Sequence, residues 1–267
     1  EHLPLDGAPV DVAVGDVNRD GVQDIVTANL LGNDISVALG RGDGSFHAPT
    51  QFNAGPRPVR LQLVEVNDDH RLDVIVVNRG QNPDLTVSVL FGDGDGNFGA
   101  PQRYDVGLTP WDVAVGDLNG DPYPDIVVTN RDASDATVLL GQRTGVFVAA
   151  ADVPLLAGPT RLALGDYDDD GTLDLIAVHQ NTTQGGLFLG DGQGGFVRSS
   201  TFEVGQFGVG IDVGDVNGDG DLDAVAITER SDGYHVLLGD GAGGIAPGPP
   251  VGTDRFRSVR VVDMNGD

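Results

Sequence analysis

The sequence has no cysteine, no long apolar run and few basic residues, and each scarcity excludes a class of protein. Without cysteine there is no disulfide framework and no thiol nucleophile, so the redox compartment cannot be read from the sequence. No apolar run reaches the 18 residues of a membrane-spanning helix, so no membrane insertion is expected. Only 15 Lys and Arg stand against 41 Asp and Glu, giving a formal charge of −26, and the missing basic face disfavours nucleic acid as a partner.

Motifs that carry hydrolytic chemistry are missing as well. There is no G-x-S-x-G turn and no H-E-x-x-H helix, and the five histidines occupy different positions of the repeat described below. The sequence therefore predicts a protein that is not an enzyme. Paired carboxylates among the 41 acids keep a hydrolase or lyase open as an alternative.

Glycine and acidic residues are abundant, and the acidic residues recur with a period. Glycine provides 41 of 267 residues, which indicates short strands and many turns. A nine-residue motif with oxygen-bearing side chains at alternating positions begins at Asp16, Glu65, Asp117, Asp166 and Asp215, and a sixth copy stops short at 263–267. A period near 50 residues predicts a repeat architecture.

Each repeat has the pattern of four short strands. In the first repeat the predicted strands are 10–15, 25–28, 35–39 and 46–52, with the nine-residue loop between the first two. Units of this size cannot bury both faces alone and close radially into a β-propeller. The predicted fold is one all-β propeller domain with repeats at about 9–57, 58–109, 110–158, 159–207 and 208–255 and a partial sixth at 256–267. We interpret the chain as a fragment of a six- or seven-bladed propeller with apolar faces at its open edges.

The loop D-x-N-x-D-G-x-x-D, followed by L-G-x-G-x-G-x-F at 39–46, resembles the FG-GAP/VCBS repeats, a family that includes the integrin α-chain propeller and lectin-like propellers. The resemblance implies that each loop binds Ca²⁺ through the side chains of positions 1, 3, 5 and 9 and the carbonyl of position 7. The implied ligands are Asp16, Asn18, Asp20, Val22 and Asp24; Glu65, Asn67, Asp69, Arg71 and Asp73; Asp117, Asn119, Asp121, Tyr123 and Asp125; Asp166, Asp168, Asp170, Thr172 and Asp174; and Asp215, Asn217, Asp219, Asp221 and Asp223.

The five predicted calcium sites are not equal. The second loop has Glu65 in place of the first aspartate and His70 in place of the glycine at position 6, so it should be the weakest site. The third loop has Pro122 at position 6, where the fixed φ of proline excludes the usual left-handed turn. Up to five Ca²⁺ ions are expected.

The resulting functional prediction is a calcium-stabilised extracellular binding module of the cell-adhesion or lectin-like kind, with a protein or glycan as partner. The extracellular assignment rests on calcium, which is near millimolar outside the cell; no signal peptide is present in the sequence. The alternative is a structural spacer among other domains of a larger surface protein. Candidate ligand contacts lie on the face opposite the calcium loops: Arg57, Trp111, His179, Phe207 and Tyr234.

A second pattern concerns charges on the first strand of each repeat. Five residues before the loops stand Asp11, Arg60, Asp112 and Arg161, which alternate in sign. Neighbouring repeats either pair these charges or leave each one solvated, and the sequence keeps both readings open.

Overall fold

A computed structural model describes residues 7–81, 85–229, 234–248 and 258–262. The described chain folds into strands and turns, arranged as five antiparallel sheets. None of its described segments is a helix that could cross a membrane. The all-β class and the β-propeller type of fold are as predicted. The partial sixth loop at 263–267 lies outside the described residues.

Each repeat forms one sheet, in which successive strands pair in chain order. The first sheet contains β1 (Pro9–Gly15), β2 (Asp24–Asn29), β3 (Asp34–Ala38) and β4 (Thr50–Asn53); the second contains β5 (Pro58–Val64), β6 (Asp73–Arg79), β7 (Leu85–Leu90) and β8 (Gln102–Asp105); the third contains β9 (Pro110–Gly116), β10 (Asp125–Asn130), β11 (Asp135–Gly141), β12 (Phe147–Ala149) and β13 (Val153–Pro154); the fourth contains β14 (Pro159–Gly165), β15 (Asp174–His179), β16 (Gln184–Gly190) and β17 (Phe196–Glu203); and the fifth contains β18 (Gly208–Gly214), β19 (Asp223–Thr228), β20 (Tyr234–Gly239) and β21 (Ile245–Pro247).

Two details differ from the predicted strands. The fourth strand of the first sheet begins at Thr50, whereas 46–52 was predicted, because Phe46 makes only an isolated bridge to Gly40 across the glycine turn. In the third sheet the fourth strand is interrupted, so that β12 and β13 both pair with β11.

The second strand of each sheet is buried on both of its faces, because sheets stack face to face within the fold. In β6 the residues from Asp73 to Asn78 are all buried, which explains the unbroken apolar run V-I-V-V in a strand. The register of β5 and β6 pairs Leu61 with Val76. Leu61 packs against β-branched residues of β2 and β3, including Val26 and Ile35, in one apolar core.

The chain falls into two compact units. The first unit is Glu1–Val113 with Gly141–Val148, and the second is Ala114–Leu140 with Ala149–Asp267. The first unit has the core between the first two sheets. The second unit has two cores, one around Phe188 and one around Tyr167. The prediction of a single domain stays a prediction.

Strand β1 presents an apolar face to solvent. Val12 and Val14 are 59% and 60% exposed, whereas Leu61, the residue of β5 that is equivalent to Val12, is 5% exposed. The difference arises because the first sheet covers Leu61, and among the described residues no sheet covers Val12. The predicted apolar face of the first repeat is therefore present.

Candidate metal loops and active site

The ninth residue of each loop is a buried aspartate, and in the first, second, fourth and fifth loops it clamps the loop to the turn after the third strand. In the first loop Asp24 accepts the N–H of Val17 at 2.9 Å through Oδ2 and the N–H of Gly40 at 2.8 Å through Oδ1. Asp73, Asp174 and Asp223 make the same two contacts. The sequence signal for this clamp was the spacing of 16 residues between Asp24 and Gly40, which recurs at Asp174–Gly190 and Asp223–Gly239.

The preceding loop positions curl around their own side-chain oxygens. Asp16 accepts the N–H groups of Asp20 at 3.1 Å and Gly21 at 2.8 Å, and Asn18 donates its amide to Oδ2 of Asp20 at 2.9 Å. The backbone can curl in this way because Arg19 and Gly21, at positions 4 and 6, have left-handed φ angles of 61° and 83°. The loop thus gathers the oxygens that a hard cation requires.

The fourth loop has the donor set that best fits a cation. Carboxylate oxygens of Asp166, Asp168 and Asp174 lie within 4.8 Å of one another. Asp168 stands where the other four loops have asparagine, and its buried Oδ1 has no hydrogen-bond partner. Burial raises the pKa of Asp174 to about 6, the hydrogen bonds from Gly190 and Tyr167 lower it, and the charges of Asp168 and Asp166 raise it. A divalent cation would relieve this repulsion, so these residues fit Ca²⁺.

The second loop is the most altered, as its sequence predicted. Glu65 Oε1 accepts the N–H groups of Asn67, Asp68 and Asp69, so the longer side chain fills the centre of the loop. His70, at position 6, has a left-handed φ of 61°, which is strained for a residue other than glycine. Burial raises the pKa of the clamping Asp73 to about 6.

The third loop keeps its curl despite the proline. Asp117 accepts the N–H groups of Asn119 at 3.2 Å and Gly120 at 2.8 Å, and Asp121 accepts that of Tyr123 at 2.8 Å. Pro122 has no N–H, so the contact that Gly21 makes to Asp16 in the first loop is missing here. The left-handed turn at this position is absent, as predicted.

The charged residues of the inner strands pair with one another in the first unit. Arg60 on β5 contacts Asp11 on β1 at 3.2 Å through Nη1 and Asp112 on β9 at 3.0 Å through Nε. Asp11 also accepts the backbone N–H of Leu61 at 3.0 Å through its second oxygen. All three charged side chains are largely buried, so the guanidinium is held in place and both carboxylates are next to a fixed positive charge. For these three residues, pairing between neighbouring repeats is therefore correct, whereas Arg161 donates from Nη1 to the carbonyl of Thr160 at 2.7 Å.

The five residues predicted as ligand contacts have different environments. Arg57 is exposed, Trp111, Phe207 and Tyr234 are half-buried, and His179 is fully buried. Arg57 and Phe207 occupy equivalent positions before an inner strand, with left-handed φ angles of 56° and 62°. The Arg79 guanidinium lies 4.1 Å from the centroid of the Trp111 ring. In this structure His179 therefore does not face a ligand.

His179 occupies the position at which other sheets have a buried polar pair that joins the second and third strands. In the first and second sheets Asn29 donates to Ser36 at 2.8 Å and Asn78 donates to Ser88 at 2.7 Å. The fourth sheet has His179 in the asparagine position and Gly186 opposite, so the larger ring replaces two smaller side chains. Its Nδ1 lies 3.2 Å from the carbonyl oxygen of Gln184, and its Nε2 is buried with no hydrogen-bond partner.

Burial of His179 predicts a loss of stability in acid. Burial lowers the pKa of His179 from 6.5 to about 4, and the hydrogen bond to Gln184 raises it. Because the unfolded chain takes up a proton near pH 6.5 and the folded protein does not, this residue's contribution falls as the pH drops from about 6.5 through about 4. The loss should total about 3 kcal/mol in the free energy of unfolding. Urea unfolding at pH 7.5 and pH 4.5 measures it. The control is His179→Asn, which introduces the residue of the first three sheets and should lose this part of the pH dependence.

The chain matches the FG-GAP-like repeat by sequence in four overlapping segments, residues 16–76, 65–128, 117–177 and 166–226. Curated protein sequences give no match. Among solved structures, a protein of Lactobacillus plantarum is 15% identical with a TM-score of 0.72, covering 96% of this chain and 74% of that one. The periplasmic gluconolactonase PpgL of Pseudomonas aeruginosa is 16% identical with a TM-score of 0.67, covering 92% and 71%. A Bacteroides fragilis protein proposed to be a 6-phosphogluconolactonase is 15% identical with a TM-score of 0.69, covering 90% and 70%.

These likenesses overturn the functional prediction. The sequence predicted a protein or glycan binding module, or a spacer, and no enzyme, but the solved structures that share the fold include a gluconolactonase. The prediction was wrong because it considered only motifs that are not part of the repeat. The charged trio Asp11, Arg60 and Asp112 occupies a regular repeat position, and only folding brings its members together. At 15 to 16% identity the likeness establishes the fold, so the chemistry must come from this chain's own residues.

Proposed function

Because the chain belongs to the FG-GAP-like repeat family and shares its fold with a gluconolactonase, we propose that it is a hydrolase that opens the ring of a sugar lactone. The single observation that carries the proposal is the contact of Arg60 with both Asp11 and Asp112. A fixed guanidinium provides hydrogen-bond donors for the negative charge that develops on the carbonyl oxygen, and a neighbouring carboxylate provides a base. Ester hydrolysis requires both groups. We infer that Arg60 and Asp112 are catalytic residues.

Asp11 accepts a hydrogen bond from Arg60 through one oxygen and from the N–H of Leu61 through the other, and we assign it the role of holding Arg60 in place. We assign the role of base to Asp112, whose Oδ1 lies 3.0 Å from Nε of Arg60. Asp112 takes a proton from water as the water oxygen attacks the lactone carbonyl carbon. The N–H groups of Arg60 stabilise the negative charge that develops on the carbonyl oxygen. When the bond between the carbonyl carbon and the ring oxygen breaks, Asp112 returns the proton to that oxygen, and the product is the open-chain hydroxy acid.

The test is the hydrolysis of glucono-δ-lactone. The rate is measured as acid released at constant pH, and the uncatalysed rate is subtracted. The wild-type protein should accelerate ring opening. Asp112→Asn should lower kcat by about 100-fold or more, because the amide cannot accept the proton. Arg60→Lys should lower kcat by a similar factor, because an ammonium lacks the fork of parallel donors.

The matched control is Arg103→Gln, which removes an exposed arginine of the same unit and should leave the rate unchanged. Melting temperatures of all variants separate lost chemistry from lost folding, because a purely structural ion pair would lower stability and rate together. Full activity of a folded Asp112→Asn variant would remove Asp112 from the mechanism. A wild-type protein that adds nothing to the uncatalysed rate with any of several δ- and γ-lactones would refute the proposed activity.

We further propose that the loops bind Ca²⁺ for stability and take no part in the chemistry. The support is the convergence of oxygens in the fourth loop, where Asp166, Asp168 and Asp174 would hold the ion. The bound cation supplies positive charge that balances these carboxylates. Exposed loops of this kind fill at near-millimolar calcium, so we propose a location outside the cytoplasm.

A further inference from the structure

The repeat offers an internal standard against which an unusual residue can be recognised. The same backbone hydrogen bond joins the residue before an inner strand to the residue after the second strand in several sheets, at 2.7 to 3.0 Å. The residues so joined are Ala8 with Leu30, Arg57 with Arg79, Gly158 with Gln180, and Phe207 with Glu229. Of these four pairs, the second alone has two positive charges. The chain has 15 basic residues, all arginine, against 41 acidic ones. Two neighbouring arginines are therefore unusual in this protein.

Next to Arg79 lies a third residue that differs from its equivalents in the other repeats. Trp111, the single tryptophan of the chain, occupies a position of the inner strand where the other repeats have Val10, Val59, Thr160 and Val209. The Arg79 guanidinium lies 4.1 Å from its ring centroid. The negative face of the indole attracts the cation, so this contact holds the Arg79 guanidinium at Trp111.

Arg57 lies in a left-handed turn that recurs before each inner strand. Its φ is 56°, and its own N–H donates to the side chain of Asn33 at 2.8 Å. The equivalent Ala8, Thr109 and Phe207 have φ angles of 59°, 57° and 62°, so the backbone conformation belongs to the repeat and the arginine side chain is the local feature. Gly158 occupies the equivalent position in the fourth repeat, so the turn itself accepts glycine. The exposed arginine is therefore not required by the turn.

We propose that Arg57, Arg79 and Trp111 bind the phosphate group of a phosphorylated sugar. Two guanidinium groups match the double negative charge and the oxygen acceptors of a phosphate monoester. The exposed part of the half-buried indole can contact the apolar face of a sugar ring. Trp111 directly precedes Asp112, and Arg57 lies three residues before Arg60, so both proposed sites use residues of the same two inner strands or the turn before them. In its link to a lactone substrate this inference rests on the proposed function; the binding itself does not.

Trp111 provides the readout, since all tryptophan fluorescence of the protein comes from this residue. We would titrate the whole chain, with calcium present, using glucose 6-phosphate, 6-phosphogluconate, gluconate and glucose. Both phosphorylated sugars should change the emission and bind at least about tenfold more tightly than gluconate or glucose. Arg57→Gln and Arg79→Gln should each weaken phosphate binding about tenfold or more, and Arg103→Gln should not.

The outcomes separate this inference from the proposed function, because binding needs no turnover. Phosphate-dependent binding by a protein that hydrolyses no lactone would support this site and refute the activity alone. Equal affinity for gluconate and 6-phosphogluconate would overturn the assignment to phosphate. Unchanged affinity in a folded Arg57→Gln, Arg79→Gln double variant would overturn the site. Arg57 is exposed, so its single substitution tests the proposal even if Arg79→Gln disturbs the packing of Trp111.

Discussion

Removal of calcium with EDTA should lower the melting temperature by more than about 10 °C. Each occupied site contributes about 2.7 kcal/mol at a hundredfold excess of ion over Kd, and for a chain of this size 1 kcal/mol corresponds to about 2 to 4 °C. Two occupied loops would therefore suffice for this shift. The physical reason is visible in the fourth loop, where three carboxylates approach within 4.8 Å. Differential scanning calorimetry in calcium and in EDTA, at fixed ionic strength, measures the effect.

The loops should contribute unequally to this stabilisation. Asp170→Ala should remove one bound calcium, whereas Asp69→Ala should change the count little, because Glu65 already occupies the centre of the second loop. Elemental analysis of the purified variants gives the number of ions per chain. Mg²⁺ added to the EDTA-treated protein is the control, since Ca²⁺-selective loops should regain stability with calcium only. A melting temperature that does not respond to EDTA would show that the loops need no metal.

Asp24→Ala should lower the free energy of unfolding by about 3 to 5 kcal/mol, whether or not calcium is present. Asp24 has no exposed surface, and its two oxygens accept the N–H groups of Val17 and Gly40. Deletion of the carboxylate leaves two buried donors unpaired, at about 1 to 3 kcal/mol each. Urea unfolding in EDTA isolates this clamp from any contribution of the metal.

Asp20→Ala, in the same loop, is the matched comparison. Asp20 is exposed and contacts only its own loop, so its loss should cost stability in calcium and little in EDTA. Equal losses for the two variants in EDTA would contradict the assignment of Asp24 as the clamp. Equal losses that appear only in calcium would make Asp24 a metal ligand and nothing more.

Local chemistry was readable from the sequence because it depends on residues close in the chain. The nine-residue loops, the glycine turns and the alternation of apolar residues each involve neighbours, so their spacing predicted the repeats, the all-β class and the altered second and third loops. The curl of the first loop is an example, since Asp16, Asp20 and Gly21 lie within six residues. The break between β12 and β13 had no such local signal.

The catalytic proposal, in contrast, depends on contacts that only tertiary structure creates. Arg60 lies 49 residues from Asp11 and 52 from Asp112, and the alternating charges alone were equally compatible with solvated side chains. Burial decided that they pair, because a partly desolvated guanidinium requires partners. His179, which the sequence predicted as a surface contact, is also buried. The sequence by itself thus determined which groups each repeat offers, and stacking of the sheets decided which of them meet and which stay exposed to a ligand.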